Sequence, residues 1–333
     1  MDSNHFLKNI KSKYILKIIS DNLNQKLLLK LLKKNKSFQN QLDITINDYK
    51  KYYEEIEIEI IPANDGYNYR KYFINIPEGY ESYCHIYIND EKKEFEKDYF
   101  ELNDNVQKVK IVLDKEIKSF EKLFDNKDYL EKIKFNKFNR KDINNMSYMF
   151  YCCNDLKEIN LNNFFTNNVT KMDGMFRNCS SLKELNLKNF NTKNVTNMEQ
   201  MFEDCSSLIE LNISSFNTLK VTNMKNMFFG CKSLKELNII NFNTKNVVDM
   251  MNMFSGCSSL KELNLENFKT NNLKYMSCMF LGCKSLKELN INNFRTRGVT
   301  HRYNVFEGCS TKMKIKIFNK IKTKKDQTLW DYY

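Results

Sequence analysis

Residues Met198 to Asn223 read MEQMFEDCSSLIELNISSFNTLKVTN, and this stretch of 26 residues decides the fold because the chain repeats it. Cys205 has counterparts at Cys153, Cys179, Cys231, Cys257, Cys283 and Cys309, each 26 residues from the next without an insertion. Phe202 belongs to a matching series, Phe150, Phe176, Phe228, Phe254, Phe280 and Phe306, and paired methionines such as Met198 and Met201 accompany it. Self-similarity at one such period is the mark of a solenoid, in which each copy is one coil and buries its apolar face only against its neighbours.

Two hydrophobic periods divide the coil. Val195, Met198, Met201, Phe202 and Cys205 recur at steps of three and four, which predicts a short helix with one apolar stripe. In later coils Gly230, Gly256, Gly282 and Gly308 stand where that helix would end, a place suited to left-handed backbone angles. Leu208, Leu211 and Ile213 then follow an L-x-x-L-x-L pattern, with the last two on the inward side of a short strand, and Phe216 closes the coil. One coil alone buries too little apolar surface to offset the ordering of its backbone, so strands must stack about 4.8 Å apart and share hydrogen bonds. The expected fold class is α/β: a leucine-rich-repeat solenoid of short helices and short parallel strands, preceded by a small antiparallel β module and N-terminal helices.

The ends of the array are degenerate. Phe120, Leu123, Phe124, Leu130, Ile133, Phe135 and Phe138 fall one period ahead of the first full coil, with Lys127 in place of cysteine. Beyond Cys309, Ile315 and Ile317 alternate with Lys312, Lys314 and Lys316, which predicts a solvent-facing final strand. The solenoid is therefore assigned to 117–318, with a tail at 319–333.

Residues 1–50 place Ile15, Leu16, Ile18, Ile19, Leu23, Leu27 and Leu28 on helical spacing, predicting two or three short helices. Residues 51–116 alternate in period two, as in Ile56, Ile58 and Ile60, with turn signals at Asn64-Asp65-Gly66 and Pro77-Glu78-Gly79. This predicts four or five antiparallel strands that run directly into the first coil and cover its apolar end.

The unit N-V-T-x-M-x-x-M-F-x-x-C-S-S-L-K-E-L-N-L-x-x-F-N-T resembles the BspA-like leucine-rich repeat family. Asn194-Val195-Thr196, Met201-Phe202, Cys205-Ser206-Ser207-Leu208 and Phe216-Asn217-Thr218 all fall in place. The resemblance covers about 143–310 and implies an interaction or adhesion module with no catalytic residues to carry over. The N-terminus is not expected to carry the signal peptide and lipid-attachment cysteine that surface members would have. The helical order of residues 6–42, an Ile-Leu-x-x-Ile helix, a Leu-rich helix and then Asn35-x-x-Phe38, is similar to an F-box-like motif that docks adaptors of ubiquitin ligases. Ser12-Lys13 stands where that motif opens with Leu-Pro.

Composition sets further bounds. The chain has 333 residues, 41% hydrophobic and 28% charged, with Gly 8 and Pro 2, so the modules should abut rather than hang on flexible linkers. Met1 to Lys8 lack the order of a secretory signal, and no apolar run is long enough to span a membrane. The expected compartment is cytoplasmic, with the cell surface as the alternative. The formal charge of +12 is concentrated at the ends, +6 in residues 1–50 and +5 in 310–333, leaving about +1 for the body. A nucleic-acid groove would need cations lined up along the solenoid, and solvated ends are the favoured reading.

Nothing in the sequence marks a catalytic or cofactor site. A column of identical cysteines does not converge tetrahedrally on zinc, and disulfides between coils call for an oxidising compartment; a small buried apolar side chain is the favoured role. His5, His85 and His301 lie outside any nucleophile or metal spacing. The Glu column at Glu158, Glu184, Glu210, Glu236, Glu262 and Glu288 is preceded by lysine in all but one coil, which fits a solvated charged face. The Asn column at Asn160, Asn186, Asn212, Asn238, Asn264 and Asn290 could bond along the stack or face a partner.

Contact residues should lie where coils differ. One variable column runs Tyr151, Arg177, Glu203, Phe229, Ser255 and Leu281; another runs Asn162, Lys188, Ser214, Ile240, Glu266 and Asn292. Phe229, Ile240 and Leu281 are expected to be exposed apolar contacts for a protein partner. The expected function is a non-catalytic protein-protein interaction scaffold of open oligomeric state. A surface adhesin of the same fold and a substrate-recruiting F-box-like adaptor of a ubiquitin ligase are the alternatives.

Overall fold

The computed structural model describes residues 54–63, 70–101 and 104–322, together with Lys36, Gln39 and Asn40. The helices expected over 1–50, the F-box-like motif, the Asn64-Asp65-Gly66 turn and the tail beyond 322 lie outside the described residues. The rest is mainly sheet, and no described helix is long and apolar enough to cross a membrane.

Period-two alternation becomes strand at β1 (Ile56–Pro62), β3 (Cys84–Ile88) and β5 (Val109–Leu113), while the two-residue strands β2 (Lys71–Tyr72) and β4 (Tyr99–Phe100) pair with each other in a separate sheet. β1 pairs antiparallel with β5 on one edge and with β6 (Leu130–Phe138) on the other, so the sheet runs β3-β5-β1-β6 before turning parallel at β7 (Glu158–Asn160). The β module thus closes the solenoid by strand pairing: Ile58 faces Phe135 and Ile60 faces Ile133, and all four side chains are buried. Without this cover, β6 would present an unpaired edge.

From β7 onward short strands fall at multiples of 26 residues, at β8 (Glu184–Asn186), β9 (Glu210–Asn212), β10 (Glu262–Asn264) and β11 (Glu288–Asn290), while the equivalent residues 236–238 of the coil between β9 and β10 are not a strand. Parallel partners are whole coils apart, as Glu184 with Glu210 and Leu263 with Leu289. A second line of contact follows Asn145, Lys171, Asn197, Asn223, Asp249, Tyr275 and His301, each bridged to the next. Between these lines the phenyl rings stack: Phe176 on Phe202 at 5.9 Å, Phe228 on Phe254 at 5.7 Å and Phe280 on Phe306 at 5.4 Å, with planes within 5° of parallel. The chain is a repeat solenoid whose interior columns are identical side chains in register.

The short helix expected in each coil is not formed. Residues 198–204 make consecutive tight turns, as do their counterparts in every coil. Two residues per coil, four apart, take the left-handed conformation: Gln200 and Asp204 at φ 60° and 55°, Asn226 and Gly230 at 57° and 70°. Alternate N–H groups point out of the coil to the next one, as Gln200 to Lys225 O at 2.9 Å and Phe202 to Met227 O at 3.0 Å, whereas an α-helix would spend them on its own fourth neighbour. The turns keep apolar residues at steps of three and four, which is why their spacing mimics a helix.

The final strand is also corrected. Residues Thr311–Lys322 form a helix, α1, with Met313 and Ile317 buried and Ile315 53% exposed. Where a further coil would accept inter-coil bonds, the helix satisfies its own backbone and lays a step of four, Met313 to Ile317, against the last coil.

Candidate functional site

Which surfaces are free to bind depends on what stacking consumes. The cysteine column is consumed: each Sγ–H of the seven donates to the carbonyl of the phenylalanine one coil back, at 3.0–3.1 Å. Burial pushes the thiols of Cys153, Cys179, Cys205, Cys231 and Cys257 up, Cys205 and Cys257 to about 12, so these five are protonated and poor nucleophiles. The ten cysteines are free thiols. Cys152 and Cys278, off the ladder, occupy left-handed positions at φ 56° and 57°.

A threonine column that sequence reasoning passed over is consumed as well. Thr192 Oγ1 donates to Asn217 O at 2.9 Å and accepts Asn217 N–H at 2.8 Å, and Thr166, Thr218, Thr244 and Thr270 repeat the exchange. The Asn column beside the strands turns inward on its own coil, Asn212 Oδ1 accepting the Ser214 N–H at 3.2 Å, an Asx turn that leaves each coil's corner fixed. The repeated N-T and Asn pattern was the available signal, since buried threonine must find a partner. The Glu column lies exposed on the outer side of the strands.

The variable column Tyr151, Arg177, Glu203, Phe229, Ser255 and Leu281 is built differently. Its backbone is fixed whatever the side chain: Phe229 N–H donates to Asn226 O at 3.0 Å, and Phe229 O accepts from Asp204 N–H at 2.7 Å. The first three members join one another. Arg177 lies 5.3 Å from the Tyr151 ring centre, reaches Glu203 Oε1 at 3.0 Å, and Asn226 Nδ2 donates to Glu203 Oε2 at 3.0 Å. Glu203 is only 5% exposed, an interior ion-pair partner rather than a free contact. Tyr148 packs edge-on to Tyr151 at 5.8 Å, lies across Gly174, and its hydroxyl reaches Gln200 Oε1 at 3.3 Å, two coils on. Phe229 and Leu281 are half-buried rather than exposed, and Ser255 is buried.

Ile240, in the second variable column, is also half-buried. It borders a shallow groove of about 830 Å³ floored by Phe242, Phe268 and Phe294. The two columns occupy different turns of the coil and are not brought into one site.

In the β module His85 Nδ1 lies 3.0 Å from Glu94 and Nε2 3.7 Å from Asp114. Cys84 precedes His85 in β3, so strand alternation sends its thiol to the other face, and burial pushes that thiol up to about 12. Among the described residues no group of three or more His, Cys, Asp or Glu is placed to hold a metal ion.

No curated protein matches the chain. A family model described as Mycoplasma protein of unknown function, DUF285, matches residues 118–211 and again 207–319. These two matches span the full run of coils and more than half of the sequence, so the chain belongs to that family.

Proposed function

We propose that the chain is a non-catalytic protein-interaction scaffold, a leucine-rich-repeat solenoid of the BspA-like type that presents its variable ridge to a protein partner. The observation that carries this reading is the division of labour within each coil. The repeated Cys, Phe, Met and Thr columns are spent on packing and inter-coil bonds, while the column from Tyr151 to Leu281 varies over a backbone whose bonds do not depend on the side chain. Tyr and Arg gathered at one end of that ridge supply the residue types that dominate interface energetics. Ile240 belongs to the same reading as a separate contact.

Capture on the immobilised chain tests it. The triple variant Phe229→Ser, Ile240→Ser, Leu281→Ser should keep the thermal melt within a few degrees, because each position is half-buried at the rim, and should lose partners that the native chain retains. Retention of every partner by the folded variant contradicts the reading; loss of the fold makes these residues core.

A further inference from the structure

Summed over the body, the charge is near zero, but the fold does not distribute it evenly. Each coil has an arc of seven residues between the closing phenylalanine and the next run of turns, and six arcs stack in register from 165–171 to 295–301. Backbone bonds hold that register, as Thr196 N–H to Thr170 O at 3.1 Å and Thr222 N–H to Thr196 O at 3.0 Å. The six arcs carry eight cations and one carboxylate, a net +7, whereas the 19-residue stretches that precede each arc, from Met146 to Phe294, sum to −2.

The cations sit one or two to a coil. Lys171, Lys193, Lys220 and Lys245 are exposed on the first four arcs. Lys269 and Lys274 follow on the fifth, and Arg295 and Arg297 on the sixth, again exposed. Among the described residues none of the eight pairs with a carboxylate; Lys220 donates instead to Asn194 Oδ1 at 2.9 Å. Lysines elsewhere on the solenoid do pair, as Lys132 with Glu158 at 2.9 Å and Lys225 with Glu199 at 3.4 Å. The lone carboxylate, Asp249, is half-buried, accepts the Met251 N–H at 2.8 Å, and has its pKa pushed up by burial.

Rings punctuate the stripe. Phe165, 40% exposed, opens the first arc beneath the Lys141 ammonium at 5.9 Å. At the other end Tyr275 and His301 lie against each other at 4.8 Å, and Tyr303 follows at 59% exposure. Five steps of about 4.8 Å make the stripe roughly 24 Å long and only one arc wide. A membrane surface would want a plane of apolar anchors, of which the arcs expose only Leu219 and Phe165. A duplex would want cations flanking a groove. A line of unpaired cations with exposed rings suits a flexible polyanion carrying one charge per monomer and flat bases to stack.

We propose that the in-register arcs from Lys171 to Arg297 form a binding track for single-stranded nucleic acid. Phosphates would lie along the cations, and bases would stack on Phe165, the Tyr275–His301 pair and Tyr303.

Fluorescence anisotropy of the full chain with a fluorescein-labelled fifteen-nucleotide oligothymidylate tests it. Lys193→Ser, Lys245→Ser, Lys269→Ser and Arg297→Ser together should weaken binding roughly tenfold or more at low salt and cut the slope of log K on log salt by about 3, at about 0.7 for each phosphate no longer neutralised. A charge-matched control, Lys183→Ser, Lys235→Ser, Lys261→Ser and Lys287→Ser, removes four exposed cations from beside the strands and should change binding less than twofold. Equal weakening in both variants, or in neither, overturns the track and assigns binding to overall charge or the basic termini. Stripe-dependent binding of anionic vesicles, heparin fragments or duplex in preference to the oligothymidylate overturns the choice of ligand.

Discussion

Thr218→Val replaces a hydroxyl with a methyl of nearly the same shape, so its effect isolates the inter-coil bond. Thr218 is fully buried, its Oγ1 donates to Asn243 O at 3.0 Å and accepts Asn243 N–H at 2.7 Å. Losing two such bonds at about 1 kcal/mol each, with a backbone N–H left without its acceptor, destabilises that layer by roughly 2–3 kcal/mol. At the end of the same column Thr296 is equally buried, but among the described residues its hydroxyl has no hydrogen-bond partner, because α1 stands where the next coil would be. Thr296→Val removes an unsatisfied buried hydroxyl and should leave stability unchanged or raise it by about 1 kcal/mol. Solenoids open layer by layer, so native-state hydrogen exchange is the suitable assay. Protection of the Asn243 amide should fall roughly 30- to 150-fold in Thr218→Val. Equal and same-signed effects of the two substitutions would refute the claim that the threonine column ties each coil to the next.

Three further outcomes follow from the same geometry. Gly174→Ala should cost more than Gly256→Ala, about 2–3 against about 1 kcal/mol in urea unfolding: both residues have positive φ, but a Cβ at 174 runs into the Tyr148 ring, whereas at 256 its nearest neighbours are at 3.4 Å. Ile317→Ala should lose about 2–4 kcal/mol from the C-terminal cap while Ile315→Ala loses almost nothing; a terminal strand would make both matter. Stability should also fall at high pH. The folded thiols of Cys205 and Cys257 hold their protons to about 12 against an ordinary 9.0. The unfolded chain therefore releases protons first, and their contribution, whole below pH 9, declines as pH rises toward 12. The urea midpoint of Cys205→Ala, Cys257→Ala should decline less over that window than that of the native chain.

The stack itself was legible because identical side chains at 26-residue intervals admit few arrangements other than columns. The left-handed glycines were legible too, Gly230 and its successors having φ of 70–76°. What misled was periodicity alone. Met198, Met201, Phe202 and Cys205 have helical spacing, yet Gln200 and Asp204 share a pattern that later coils write as Asn226 and Gly230, and two left-handed residues four apart exclude a helix. The alternation of Lys312, Lys314 and Lys316 looked like a strand edge, but the burial of Met313 and Ile317 obeys a step of four. At the variable ridge the column was readable and its exposure was not, since the Glu203 ion pair depends on Arg177 lying one coil away. The cationic arcs stayed hidden because a net charge near zero sums over faces that only the coil geometry separates.

Register is the claim on which the rest depends, and distances along one column measure it directly. Nitroxides introduced through p-acetylphenylalanine at Asn167 paired with Lys245, Asn271 or Arg297 span three, four and five coils. Double electron–electron resonance should give separations rising by a constant increment of about 5 Å per coil, from about 14 to about 24 Å. Separations that fail to grow with coil number, or that jump between pairs, would contradict a continuous in-register solenoid.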